Sequence, residues 1–196
     1  MVKKRCEWSV GDPELEKYHD TEWGVPIYDD RTLFEFLTLE GAQAGLSWIT
    51  ILKRREGYRN AFDEFDAVRI SRYNSKKIES LLNNPRIIRN RLKINSAVLN
   101  AKAFLKIKEE FGTFSRYQWG FVGGVPIQNR LISLKDIPVS IKESDALSKD
   151  LVRRGFKFVG PKIIYAYMQA VGMVNDHILS CFRYKEIKNW PKFKTR

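Results

Sequence analysis

Four scarce side chains carry the first chemical signal in this sequence. The chain holds two cysteines and two histidines in all, and they fall into two pairs. Cys6 and His19 stand near one end, His177 and Cys181 near the other. At i and i+4, His177 and Cys181 would share one face of a helix, with Cβ atoms about 6 Å apart. Two thiolates and two imidazoles form the donor set of a closed tetrahedral Zn²⁺ site. A filled shell leaves no position for substrate or activated water. The expected metal is therefore structural, one ion per chain, clipping the N-terminal segment to a C-terminal helix. The alternative is four ordinary packed side chains.

A second signal is a carboxylate in the wrong company. Glu40 lies on a stripe with Leu33, Phe36, Leu37 and Ala44, where a charge is costly unless it is paired or lines a cavity. Trp8, Tyr18, Trp23 and Trp48 all fall within the first fifty residues. Such a cluster is either core or the wall of a site. As a wall beside an acidic acceptor, it suits a cationic planar ligand, through stacking and cation–π attraction.

The elements that must position these groups read as helices. Asp30 is expected to cap a helix reaching about Ala44, and Ser47 the next, with Trp48, Ile51, Leu52 and Arg55 on its stripe. Residues 75–83 read as a short helix. A long one follows from about Arg86 to Phe111, with Leu92 and Leu105 on its apolar face and Gly112 at its end. Residues 112–143 carry little pattern, with an extended segment possible at Leu131–Val139. Ser144 is expected to cap a helix through Arg154, and Pro161 to open another. The two glycines of Gly155–Gly160 make a hairpin at about 146–170. The backbone N–H groups at its second helix, with Lys157, Gly160 and Lys162, could hold phosphate without reading sequence. The alternative is an ordinary pair of helices. From Phe182 the chain reads as a frayed, solvated basic end.

Bulk composition narrows the partner. The 196 residues carry 35 Lys and Arg against 23 Asp and Glu, a net charge of +12, which favours a polyanion. Apolar content of 43% excludes wholesale disorder. No run of 18 apolar residues occurs, so no membrane partner is expected. The first eight residues lack the apolar stretch of a signal peptide, which gives a cytoplasmic expectation with reduced thiols.

Several contiguous blocks carry a resemblance: Cys6–Trp8, Tyr18–Pro26, Leu39–Trp48, Ser144–Lys149, Arg154–Gly160, Met168–Ala170 and Val174–His177. Together they closely resemble the bacterial 3-methyladenine DNA glycosylase I (Tag) family, within the helix-hairpin-helix glycosylase superfamily, from about Cys6 to Cys181. The resemblance implies an all-α fold of two helical subdomains with a cleft, and a zinc clip joining the termini. Residues 1–182 are expected to form one glycosylase domain, and the run of Lys and Arg beyond it makes 183–196 a basic tail. The resemblance also implies action on double-stranded DNA containing alkylated bases, with hydrolysis of the N-glycosidic bond of 3-methyladenine after base flipping; a monomer is expected. Residue by residue, Cys6, His19, His177 and Cys181 match the zinc ligands. Glu40, expected to be catalytic, and Tyr18 match hydrogen-bonding pocket residues. Trp48 matches the stacking wall, and Trp8 and Trp23 the rest of the lining. Gly45 and Leu46 match the loop that probes the DNA stack.

The wider superfamily often carries a catalytic Asp where this chain has Asn175, and Asp176 beside it is given no role. Lys162 falls near the Schiff-base lysine of bifunctional relatives, but without that Asp a phosphate contact is the better reading. The rival expectations are a non-catalytic DNA-binding protein and a glycosylase for other lesions.

Overall fold

The computed structural model describes residues 3–191. Eleven helices make up most of that span: α1 (Pro13–Thr21), α2 (Asp30–Gln43), α3 (Trp48–Leu52), α4 (Arg55–Ala61), α5 (Ala67–Ile70), α6 (Ser75–Leu82), α7 (Arg91–Phe111), α8 (Phe114–Trp119), α9 (Lys142–Arg153), α10 (Pro161–Ala170) and α11 (Phe182–Lys188). The one sheet among the described residues is a two-residue parallel pair, β1 (Ile127–Gln128) beside β2 (Val174–Asn175). The all-α expectation therefore holds apart from that clasp.

Helix α2 is the axle. Leu33, Phe34, Phe36, Leu37 and Leu39 are all 0–1% exposed, so the helix is buried on nearly every side rather than along one stripe. It packs against α3, α7, α8 and α10. Even its polar Glu35 is buried, and is met by Arg55 at 2.6 Å and Arg59 at 2.9 Å.

The start of α2 corrects the expected cap. Asp29, not Asp30, occupies the cap and accepts from Thr32 N–H at 2.8 Å. Asp30 turns outward instead. Its carboxylate accepts from the backbone N–H groups of Phe114 and Ser115 at the start of α8, and pairs with Lys108 at 3.0 Å. It thereby satisfies donors that a helix start leaves open, on an element 84 residues away.

Other boundaries move for similar reasons. The long helix begins at Arg91, capped by Asn90, because residues 86–90 bend first. Leu92 is then 70% exposed rather than core-facing. The stripe expected from Trp48 to Arg55 is split between α3 and α4, and Ser47 bonds Thr50 Oγ1 rather than a backbone N–H. Ser144 sits at the third helical position, with its hydroxyl tied back to Ile141 N and O. Leu131–Val139 is no strand, but contains a single turn at Leu134–Asp136.

The C-terminal region departs most from expectation. His177 and Cys181 do not share a helix; they lie in the turn between β2 and α11. The segment from Phe182 is not frayed through 188, since α11 buries Arg183, Tyr184 and Ile187. Lys192, Lys194 and Arg196, counted as part of a basic tail, lie outside the described residues. Gly172 makes one close approach possible. Its φ is +72°, and a Cβ there would meet Pro26 N at 2.4 Å, where Ile27 N–H donates to Val171 O.

The double role of Asp30 is testable. Asp30→Ala should lower stability by about 1–2 kcal/mol, or roughly 2–8 °C in Tm, while leaving α2 capped by Asp29. Calorimetry checks this; an unchanged Tm would remove Asp30 from the packing of α8.

Candidate functional site

The four scarce residues converge. Cys6, His19, His177 and Cys181 are all buried, and their ligating atoms lie within 4.8 Å of one another. A tetrahedral metal with arms of about 2.0–2.3 Å has ligand–ligand edges of roughly 3.3–3.8 Å. Cys181 Sγ stands 3.4 Å from His19 Nε2 and 3.6 Å from His177 Nδ1, and Cys6 Sγ stands 3.8 Å from His177 Nδ1. The outward ring nitrogens are spoken for. His19 Nδ1 faces Asp20 Oδ1 at 2.8 Å, and Asp20 is gripped by Arg5. His177 Nε2 lies 3.1 Å from Trp23 O. Carboxylate and carbonyl acceptors outside the ring fix each tautomer so that the other nitrogen points inward, the outer arrangement that metal-binding histidines use. The donor set and its spacing thus fit a metal ion. A shell of four protein ligands leaves it no open position.

The pocket grows out of the same segment. A cavity of about 220 Å³ is lined by Trp8, Tyr18, Trp23, Glu40, Gln43, Trp48, Ile137, Ala166 and Gln169. Trp8 stands two residues from Cys6, and Tyr18 directly precedes His19, so two side chains of the Cys/His cluster brace the aromatic wall. Trp8 meets Trp23 edge-on at 5.0 Å between ring centroids, and Tyr18 lies 5.4 Å from Trp48. Trp23 in turn meets the His177 ring at 4.6 Å. The aromatic cluster is partly core, with Tyr18 and Trp23 buried, but every member lines the cavity.

Helix α2 brings Glu40 to this wall, with Gln43 one turn on. Glu40 is 5% exposed. No group among the described residues donates a hydrogen bond or offers a cation to its carboxyl. Burial alone pushes its pKa from 4.5 up to about 8. Burial, and after it Glu40 and Glu22, also raise the Tyr18 phenol well above its ordinary value, so it stays neutral. The Trp48 indole N–H is buried at the same wall with no acceptor. An apolar slot that holds a lone acidic acceptor and an unused donor is built for a planar polar ligand carrying positive charge.

The rim and the hairpin hold the remaining expected residues. Gly45 takes φ +78° and Leu46 is 40% exposed, so the two form a projecting corner between Gln43 and Trp48. Lys93 anchors it from α7, donating to Ala42 O at 2.8 Å and Ala44 O at 2.6 Å. Lys157 and Lys162 are exposed, neither lines the cavity, and Gly160 caps α10. The hairpin's shape is set from behind: Asn100 bonds both N–H and C=O of Lys157, and Ser148 donates to Val159 O. Asn175 is wholly buried, bonded to Gln128 and Tyr184 O, and does not line the cavity.

Sequence reasoning missed four lining residues. Gln43 follows Glu40 by one helical turn, and Ala166 and Gln169 share a face of α10 at i, i+3, so their spacing was a usable signal. Ile137 comes from the poorly patterned 112–143 stretch and gave none.

Comparison with known proteins agrees with this geometry. The family described as methyladenine glycosylase matches residues 8–184. The chain is 47% identical to DNA-3-methyladenine glycosylase 1 of Escherichia coli (strain K12) over 181 residues, 92% of this chain and 97% of that protein. A crystal structure of 3-methyladenine DNA glycosylase I superposes with a TM-score of 0.89 at 51% identity, covering 91% of this chain and 98% of that one. A tyrosine-to-phenylalanine variant of 3-methyladenine DNA glycosylase I, solved in complex with 3-methyladenine, superposes at 0.88 with 35% identity, covering 91% and 96%.

The raised Glu40 pKa fixes a pH signature for the ligand-free protein. The native state holds this proton more tightly than the unfolded chain. Its contribution to stability is therefore full below pH 4.5 and lost as pH rises through about 8. Glu40→Gln removes that loss. The variant should gain on the parent progressively between pH 4.5 and 8, reaching roughly 2–5 kcal/mol. Denaturant midpoints across pH measure it; a difference that does not change with pH would mean the carboxyl is not isolated.

Proposed function

The chain belongs to the methyladenine glycosylase family, and we infer that it hydrolyses the N-glycosidic bond of 3-methyladenine in alkylated DNA, the opening step of base-excision repair. The observation that carries this reading is the lone buried carboxyl of Glu40 in an aromatic slot.

A base inside a duplex cannot reach that slot, so the target nucleotide must leave the stack, at a cost of a few kcal/mol. Leu46, 40% exposed at the rim, suits the space it vacates. Exposed Lys157 and Lys162, with the N-terminus of α10, suit the phosphate backbone. Double-stranded DNA bearing alkylated bases is thus the partner, with residues 1–182 and the packed helix α11 acting as one domain and the basic residues beyond α11 adding general attraction. No helix among the described residues is long and apolar enough to cross a membrane. A monomer working in the cytoplasm is the simplest setting.

The slot selects by charge. Adenine methylated at N3 is cationic, while unmodified adenine is neutral. A neutral base leaves the Glu40 carboxyl either protonated or unpaired in a low-dielectric site. A cationic base stacked on Trp48 and bonded to Glu40 and Tyr18 offsets the cost of ionising it. The same methylation weakens the bond to the sugar, so the leaving group departs with little acid help. The base leaves as neutral 3-methyladenine, water adds to the sugar carbon, which carries positive charge as the bond breaks, and the added water loses its extra proton to solvent. No general base stands where the superfamily has its Asp: Asn175 is turned into the β2–α11 packing. Lys162 lies off the cavity lining, which favours a phosphate contact and simple hydrolysis over a Schiff base.

The metal cluster is assigned to Zn²⁺, one per chain, on the basis of its two thiolates and two imidazoles. A bound ion would supply rigidity, with Cys6, His19, His177 and Cys181 holding it. The same four residues fix the Trp8 and Tyr18 segment against the rest of the wall.

Two measurements test these assignments. Incubation with methylated duplex and chromatography of the released bases should yield 3-methyladenine. Glu40→Gln should slow that release about tenfold to a hundredfold, with affinity for undamaged duplex retained. Equal rates would take Glu40 out of the mechanism. Elemental analysis should find one zinc per folded chain, and stripping it should lower Tm by more than 10 °C, on the order of several kcal/mol; a metal-free chain of full stability would refute the clip.

A further inference from the structure

Asp176 follows Asn175 and is 1% exposed, yet no expected chemistry uses it. Its carboxylate accepts from three side chains. Asn129 Nδ2 donates to Oδ1 at 2.6 Å, while Tyr165 OH and Gln169 Nε2 each donate to Oδ2 at 2.6 Å. Tyr165 and Gln169 stand one turn apart on α10, and Gln169 is the one donor of the three that also lines the aromatic cavity.

This arrangement decides which end of the Gln169 amide is held. A carboxylate can only accept, so the NH₂ end must face Asp176. The carbonyl end is left over, and no described residue donates to it. Glu40 and Gln43 bring acceptors to the cavity wall from α2; Gln169 adds one from α10, and Asp176 locks the orientation of its amide.

A fixed acceptor answers a question that charge cannot. Guanine methylated at N3 is cationic too, and its bond to the sugar is weakened in the same way. The two bases differ where adenine carries an amino donor and guanine a carbonyl acceptor. An acceptor facing the amino group gains a hydrogen bond, while one facing a carbonyl meets repulsion and stays unpaired. We propose that Gln169, held by the buried Asp176, is a specificity-determining residue that favours 3-methyladenine over 3-methylguanine. Asp176 is then a positioning residue acting through Gln169, and it touches no substrate. The proposal rests on the glycosylase reading above.

The test uses duplex DNA methylated to contain both bases, with each released base quantified from the same sample. Gln169→Leu removes the acceptor and should lower the ratio of 3-methyladenine to 3-methylguanine release by about tenfold or more. Asp176→Asn can donate as well as accept, so it frees the Gln169 amide to turn over; it should shift the ratio the same way by a smaller factor. Loosened packing alone would slow both bases together and leave the ratio in place. If Asp176→Asn does not fold, judged by metal content and unfolding midpoint, the partly exposed Gln169→Leu decides alone. A parent that releases 3-methyladenine, with a ratio unchanged in Gln169→Leu, overturns the role of Gln169. A parent that releases no methylated purine overturns the glycosylase reading, and this proposal with it.

Discussion

One carboxyl group without a partner sets the terms for the rest of this structure. Glu40 sits on a helix buried on nearly every side, in a wall of aromatic and otherwise neutral side chains, and nothing among the described residues compensates it. Such a group is unfavourable in the empty protein, and its shifted pKa expresses that cost. The cost is removed only when something cationic enters. On the proposed reading, destabilisation in the free state becomes selectivity in the bound state, because a neutral base of the same shape cannot supply the charge. The site therefore needs no strong acid or base.

Rigidity comes from how few segments build the wall. Trp8, Tyr18 and Trp23 lie within 16 residues, and that stretch is tied down at both ends by the Cys/His cluster: Cys6 precedes it, His19 lies within it, and His177 approaches the Trp23 carbonyl. From the other side α2 presents Glu40 and α10 presents Ala166 and Gln169, and the two helices pack directly. Lys93 closes the arrangement by holding the end of α2 and the projecting Gly45–Leu46 corner. Cluster, pocket and rim thus share one frame, and a disturbance at the termini reaches the aromatic wall through only a few covalent bonds.

Much of this was legible because it was anomalous. A Glu on an apolar stripe and four scarce soft ligands in two pairs are departures from background, and both led to real convergences. Misplaced details came from interactions that local spacing cannot encode. Asp29 and Asp30 are equally good caps by type; a helix start 84 residues away claims Asp30 and leaves the cap to Asp29. An i, i+4 pair fits a helix, but His177 and Cys181 reach the same cluster from a turn. The charges after Phe182 hid the buried face that α11 forms with Tyr184 and Ile187. Gln169 looked like any polar residue on a helix, since its partner Asp176 lies past the helix end in β2's wake. Ile137 had no periodic pattern around it at all.

The central claim is that the Glu40 carboxyl is isolated until a cation joins it. A carbon-13 NMR titration of the glutamate carboxyls, with the Glu40 signal identified by its loss in Glu40→Gln, addresses it directly. In the free protein that signal should titrate near pH 8, and it should be in its ionised form at pH 7 once a cationic purine fills the slot. A free-protein midpoint near 4.5, unmoved by the ligand, would contradict the account.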